Sequence, residues 1–267
     1  MVSRRLFISG IGATIGTPLF SAPVKSMLGS SEMSLSEDSI SPNYTAEDYV
    51  QEGLISMWDG IENAGWGEHD DNPSKFVDLI SQHNMSFLGG TDRITLEDGI
   101  MMNPNRTSDN IARARTSYTF SLQQDADKTI SICASVDSDN YDSTKPMMFV
   151  CGTNSGIGAQ DRILYARRNG STAWQSLGIG YTTGIPFVIT IVSSKTGVSV
   201  FANGVKIGTN IGNITYLSVS GWMQIGSYNA TMPSCSTIHN IALYARSLED
   251  KEVQYNYQVS KTRFNIP

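Results

Sequence analysis

Cysteine, histidine and charge are all scarce in this chain. Its 267 residues hold three cysteines, three histidines and only 16% charged side chains. Cys133, Cys151 and Cys235 show no CxxC spacing, which excludes a zinc knuckle or a dithiol redox motif. An odd number allows at most one internal bridge. Cys133 and Cys151 sit within apolar runs, so they are expected as buried free thiols. His69, His83 and His239 form no HExxH, and a transition-metal site is hard to build from them. Lysine and arginine total 19 against 25 acidic residues, for a net charge of -6. The nearest things to a basic run are Arg113/Arg115 and Arg167/Arg168. Nucleic acid is therefore not an expected partner, because phosphate binding needs clustered cations. No GxSxG supports a serine nucleophile.

What is present divides the chain into three parts. Residues 1–22, "MVSRRLFISGIGATIGTPLFSA", have a short basic start and a small, apolar, Gly-rich run, the layout of an export signal. Ser3, Arg4, Arg5 and Phe7 resemble the twin-arginine pattern, with Ile8 and Ser9 where Leu and Lys usually stand. The expected location is thus the periplasm, cell surface or exterior; the alternative is an N-terminal anchor into an assembly such as a virion. Gly10, Gly12 and Gly16 do not make a dinucleotide loop, since no strand of useful length precedes them. Residues 23–47 are rich in Ser, Glu and Pro and read as a flexible linker. The domain spans 48–267, with packing expected to begin near Tyr49 or Leu54. No membrane span is expected in it.

From Leu54 onward, short apolar runs alternate with Gly, Asn, Asp, Pro and Ser. About a dozen strands, with no long helical period between them, imply an all-β, two-sheet antiparallel sandwich. In "VSVFANGVKIG", Asn203-Gly204 supplies the two left-handed positions of a type I′ turn. That turn sets Ala202 opposite Val205 and Val200 opposite Ile207, all expected on one buried face. One helix is expected near the C-terminus. Ser247 is its N-cap, and Glu249, Asp250 and Glu252 lie where the helix dipole favours them. Its apolar residues fall on two sides: Leu248, Tyr255 and Val259 on one, Val253 and Tyr257 on another.

Three stretches resemble a known family. "GLISMWDGIENAGWG" followed by "FVDL", "VSVFANGVKIG", and "IHNIALYARSLEDKEVQYNY" are similar to laminin-G-like domains of the concanavalin A-like lectin/glucanase superfamily. Leu243, Tyr244, Arg246, Leu248, Glu252 and Tyr257 match the family's closing strand and helix, while Ala202 and Ala245 replace its usual Val or Ile and its Asn. The resemblance covers about residues 50–262. It implies a jelly roll whose first and last strands lie side by side, used mostly to bind carbohydrate or protein surfaces.

The hydrolase branch of that superfamily carries its carboxylates in an ExDxxE strand, which is absent here. Glu97-Asp98 is the nearest acidic pair, and adjacent strand residues point to opposite faces. The chain is therefore expected not to be an enzyme. "DSDNYDS" offers Asp137, Asp139 and Asp142 in one loop; a solvated turn is the simpler reading, and calcium is the one cofactor it leaves open. Sugar binding needs exposed aromatic platforms beside amides or carboxylates. The expected ligand-binding residues are Trp174 and Tyr181, flanking "SLGIG", with Trp66 and Tyr228 behind them. Trp58 and Trp222 are read as core strand residues, and His239 as a core histidine. The function expected is a non-catalytic module recognising carbohydrate or a cell-surface ligand. The alternative is a structural or adhesion subunit of a phage particle or surface assembly, with glycoside hydrolysis far behind.

Overall fold

A computed structural model describes residues 43–90, 94–96, 99–102, 112–122, 126–137, 147–151, 155–167, 174–210, 219–227 and 234–267. Its strands are β1 (Leu54–Asp59), β2 (Lys75–Phe76), β3 (Met85–Leu88), β4 (Thr95–Leu96), β5 (Ile100–Met102), β6 (Arg113–Thr116), β7 (Phe120–Leu122), β8 (Lys128–Val136) and β9 (Met147–Cys151). They continue with β10 (Ser155–Gln160), β11 (Ile163–Arg167), β12 (Gln175–Gly180), β13 (Phe187–Ser194), β14 (Gly197–Ala202), β15 (Val205–Thr209), β16 (Val219–Gly221), β17 (Met223–Ile225) and β18 (Ser236–Tyr244). One helix, α1 (Asp250–Arg263), follows. Sheet 1 runs β15-β14-β13-β8-β18-β5-β4, with β1 also paired to β18. Sheet 2 runs β12-β11-β10-β9-β17-β6-β3-β2. All pairs are antiparallel. The fold is an all-β, two-sheet antiparallel sandwich with a short C-terminal helix.

Strand alternation builds the core between the sheets. Ile130, Ile132, Ala134, Val136, Ile189, Ile191, Ile238 and Ile241 from sheet 1 meet Ala114, Phe149, Ile157, Ala159, Leu164, Ala166, Met223 and Ile225 from sheet 2. Trp58 is fully buried in this layer, and its ring meets Phe120 edge-on at 6.3 Å. Cys133, Cys151 and Cys235 are buried free thiols.

The outer face of sheet 1 is covered. Met57, Val192, Phe201, Ala242 and Tyr244 pack with Tyr49, Val253 and Val259, so α1 and the segment before β1 lie over it. The buried positions of α1 are Val253, Asn256, Val259 and Ser260. Two of these are polar, which explains why no clean apolar stripe is visible in the sequence. Asn256 donates to the Tyr244 hydroxyl and accepts from the Val50 N–H, both at 2.9 Å. Ser260 and Tyr49 share a 2.9 Å hydroxyl contact. Packing begins before Tyr49: Ala46, within the segment read as linker, is fully buried.

Two local expectations are corrected. Ser247 is not the N-cap; its hydroxyl donates to the Ser193 carbonyl at 2.9 Å. The helix starts at Asp250, where the Glu252 carboxylate accepts the Glu249 N–H at 2.8 Å. The Asn203-Gly204 turn forms as expected, with φ of 48° and 74°, and Ala202 pairs with Val205. Beyond it the register shifts: Phe201 pairs with Lys206 and Val200 with Gly208. This bulge leaves Ile207 as the extra residue on the edge strand β15. Val205 is 64% and Ile207 46% exposed, so they do not share a buried face with Val200.

Arg263 ties the end of α1 to the first strand and to the segment before it. Its guanidinium donates to Asp59 at 2.7 Å and to Glu62 at 3.0 Å, with all three side chains under a tenth exposed. Asp59 also accepts the N–H groups of Ile61 and Glu62 and the Asn240 amide. Glu62 accepts the N–H groups of Ala46 and Gly67. Burial pushes the Glu62 carboxyl up, but these two N–H groups and the Arg263 guanidinium outweigh it and hold it below the usual range.

Arg263→Ala leaves two buried carboxylates unpaired, and a loss of about 3–5 kcal/mol is expected in urea denaturation. Glu62 has a depressed folded pKa, so its contribution is present above its unfolded value of about 4.3 and is lost as pH falls through the folded one. The gap in thermal midpoint between the wild type and Glu62→Gln is therefore expected to be full at pH 7 and to close below about pH 4. Gly53 has φ of +75°, and a Cβ there would lie 2.8 Å from Arg246 Cγ. Gly53→Ala is expected to cost about 1–3 kcal/mol by the same denaturation assay.

Candidate functional site

With sheet 1 covered by α1, the outer face of sheet 2 is the face that no described helix packs on. Alternation decides what it carries. On β6, Ala114 faces the core, so Arg113 and Arg115 point outward and are partly exposed. On β17, Met223 and Ile225 face inward and Gln224 outward, where it is buried and donates to the Ser227 carbonyl. On β10, Ile157 and Ala159 face inward, so Gly156 and Gly158 form the outer floor, which is itself buried. Arg167 and Tyr165 on β11 flank that floor, because Gly156 pairs with Arg167 and Gly158 with Tyr165.

Register joins these residues into one line across the sheet. Arg167 pairs with Gly156, Gly156 with Val150, Val150 with Gln224, Gln224 with Arg115, Arg115 with Ser86 and Ser86 with Lys75. Six interstrand steps of ~4.8 Å make the line roughly 29 Å long. Gly156, Gln224 and Arg167 on this line are buried, so its accessible part is the Arg115–Lys75 end. Trp222 lies beside this line, with the Arg115 guanidinium 5.4 Å from its ring centre. It is half-buried, so the expectation that Trp222 is a core residue is corrected: it adjoins an apolar strand, but Arg115 holds it on the outer side.

The four expected ligand residues do not form one site. Trp174 is half-buried one residue before β12, next to the Gln175–Ala166 pair and so near the Arg167 end of this line. Tyr181 lies just past the other end of β12. Seven residues at ~3.3 Å put the two about 23 Å apart, too far for one sugar ring. Tyr181 is only 8% exposed and stacks on Phe187 at 6.1 Å, so it belongs largely to the core. Its remaining surface lines a cleft of about 490 Å³ with Arg162, Thr182, Ile185 and Asn203. Trp66 is 38% exposed and lines a separate recess of about 220 Å³ with Thr45, Glu47, Glu62 and Gly67. Tyr228 lies outside the described residues.

Asp139, Asp142, Glu97 and Asp98 lie outside them too. Asp137 accepts hydrogen bonds from Ser135 at 2.8 Å and Thr237 at 2.9 Å, which gives its carboxylate a structural role. Among the described residues no three His, Cys, Asp or Glu side chains cluster as a metal site. His69 contacts the Ile61 carbonyl at 2.7 Å through Nδ1.

One constellation escaped the sequence reading. Ser56, Ser81, His83 and Asp78 converge between β1 and β3. Both hydroxyls approach His83 Nδ1, at 3.0 Å and 2.6 Å, and the Asp78 carboxylate lies 3.6 Å from the same nitrogen. A proton relay needs the carboxylate and the nucleophile on opposite ring nitrogens, so this cluster is not one. Asp78 instead accepts the N–H groups of Met57 and Ile80 and the Ser81 hydroxyl, pinning the 77–84 loop to β1. Tyr118, 47% exposed, stacks on His83 at 3.6 Å.

No protein-family profile matches the chain, nor does any curated protein sequence. Solved structures do resemble it. Trypanosoma rangeli sialidase is 13% identical with a TM-score of 0.56, over 79% of this chain and 33% of the sialidase. Its covalent intermediate with 2,3-difluorosialic acid aligns over 82% of this chain and 36% of its own, at 12% identity and TM-score 0.56. The botulinum neurotoxin serotype D binding domain is 12% identical, with TM-score 0.56, over 78% of this chain and 52% of the toxin domain. The chain thus spans about a third of the sialidase and about half of the toxin domain. At these identities the likeness establishes the sandwich fold.

Asp78→Ala removes the acceptor of two backbone N–H groups inside the fold. It is expected to lower stability by about 2–4 kcal/mol, against under about 1.5 kcal/mol for Ser81→Ala, in parallel thermal melts.

Proposed function

We propose that this chain is a non-catalytic carbohydrate-binding module, a laminin-G-like jelly roll that presents the outer face of sheet 2 to a glycan. The observation that carries this reading is the Arg115 guanidinium over the half-buried Trp222 ring, with Arg113 partly exposed on the same strand face. A flat aromatic face takes the C–H side of a sugar ring, while guanidinium groups take its hydroxyls. The eight strands of sheet 2 contain no Asp or Glu, so these strands themselves carry no carboxylate pair of the kind used in glycoside hydrolysis. A toxin binding domain and a sialidase solved with sialic acid are among the chains of similar fold, which supports the reading without deciding it. The twin-arginine-like start places the module outside the cytoplasm in this proposal.

A second reading, a subunit of a phage or surface assembly, is favoured by the edge strand β15, where Val205 and Ile207 are exposed. Sedimentation separates the two: a monomer at micromolar concentration argues against assembly through β15.

The primary test is a glycan array on the full chain, followed by calorimetry with the strongest hit. Trp222→Ala is expected to weaken binding about tenfold or more, with the thermal midpoint retained. Binding that survives this change, or no hit at all, rejects the site.

A further inference from the structure

We propose that the glycan bound by sheet 2 is anionic, with a carboxylate or sulfate seated between Arg113 and Arg115. The proposal rests on the carbohydrate-binding reading above and names the class of sugar.

Three observations carry it. First, charge is sorted by face. The chain as a whole is acidic, at -6. Yet the strands of sheet 2 hold Lys75, Arg113, Arg115 and Arg167 and no acidic residue. Alternation and register place all four cations on the outer side, where Arg167 is buried and Lys75, Arg113 and Arg115 are at least partly exposed. Second, the cations at one end of this face close no ion pair among the described residues. Elsewhere Arg263 and Arg246 close ion pairs at 2.7 Å. Arg113, Arg115 and Lys75 have no carboxylate partner among the described residues, and Arg113 Nε is a buried donor without an acceptor there. A buried donor of this kind costs about 1–3 kcal/mol when nothing meets it. An incoming anion supplies the acceptor. Third, the geometry suits one charged group. Arg113 and Arg115 are two residues apart on one strand, ~6.7 Å between Cα atoms and on the same side. Two guanidinium groups so placed converge on a single planar or tetrahedral oxyanion. Trp222 under Arg115 then faces the ring that bears the anion.

The line continues beyond this pocket. Lys75, which is exposed, lies two strands from Arg115, about 10 Å away at ~4.8 Å per step. A second cation at that distance matches an oligosaccharide with repeated charges better than a single sugar. Long-range attraction from such a row speeds encounter and is screened by salt.

The test is calorimetry on the full chain with defined oligosaccharides: a uronate oligomer, a sialylated trisaccharide, a sulfated oligomer and a neutral oligomer of matched length. At least one anionic probe is expected to bind ten times more tightly than the neutral one. Its affinity is expected to fall as NaCl rises from about 0.05 to about 0.5 M. The uronate and sialyl arms against the sulfated arm identify the anion. Arg113→Gln and Arg115→Gln are each expected to cost tenfold or more for the anionic probe, and Lys195→Gln, in a sheet 1 turn, nothing. The comparison of wild-type affinities stands even where an arginine variant does not fold. Equal binding of neutral and anionic probes overturns this proposal and leaves the carbohydrate reading intact. Binding of inorganic polyphosphate as tight as that of the anionic sugars, unaffected by Trp222→Ala, overturns it as simple ion exchange. No binding of any oligosaccharide overturns both.

Discussion

The buried Arg263 guanidinium is the contact on which the arrangement depends. It draws the end of α1 onto Asp59 at the end of β1 and onto Glu62 in the loop beyond. Glu62 in turn holds Ala46, in the segment before β1, and Gly67. Charges removed from water are tolerable only when each finds partners, and here backbone N–H groups and Asn240 complete the set. This fixes α1 across the outer face of sheet 1. The same clasp therefore decides that the outer face of sheet 1 is the one the helix covers.

The division of labour between the sheets follows. Sheet 1 has its apolar outer residues, Val192, Phe201 and Ala242, under the helix. Sheet 2 turns the partly exposed Arg113 and Arg115 outward, beside the buried Gln224. On the proposed reading, the guanidinium groups of Arg113 and Arg115, which have no carboxylate partner among the described residues, take an acceptor from a saccharide. The "WDGIENAGWGEHDDN" loop, dense in carboxylates, has the opposite character. Asp59, Glu62 and Asn63 are spent inside the fold, which leaves Trp66 as its exposed ring.

Much of the fold was legible locally. Alternating apolar residues and turn formers mark the strands, and Asn203-Gly204 marks its turn because left-handed backbone suits those two residues. The buried thiols and the core role of Trp58 follow from the apolar runs around them. Three features were not legible. The exposure of Val205 and Ile207 depends on a bulge and on β15 being an edge. The start of α1 depends on Glu252 reaching back to Glu249. Trp222 reads as core because it adjoins an apolar strand, and only Arg115 arriving from β6 reveals its outward side.

The amino-acid sequence alone determined the all-β class, the absence of a transition-metal motif, the acidic balance and the short-range turns. These rest on composition and on interactions between neighbours in the chain. Tertiary structure alone decided which carboxylates are structural, which aromatics share a site and where the cations gather. Each of these requires knowing which strands pair and in what register. A shift of one residue moves every side chain of a strand to the other face, and no local pattern specifies that pairing across the sheet.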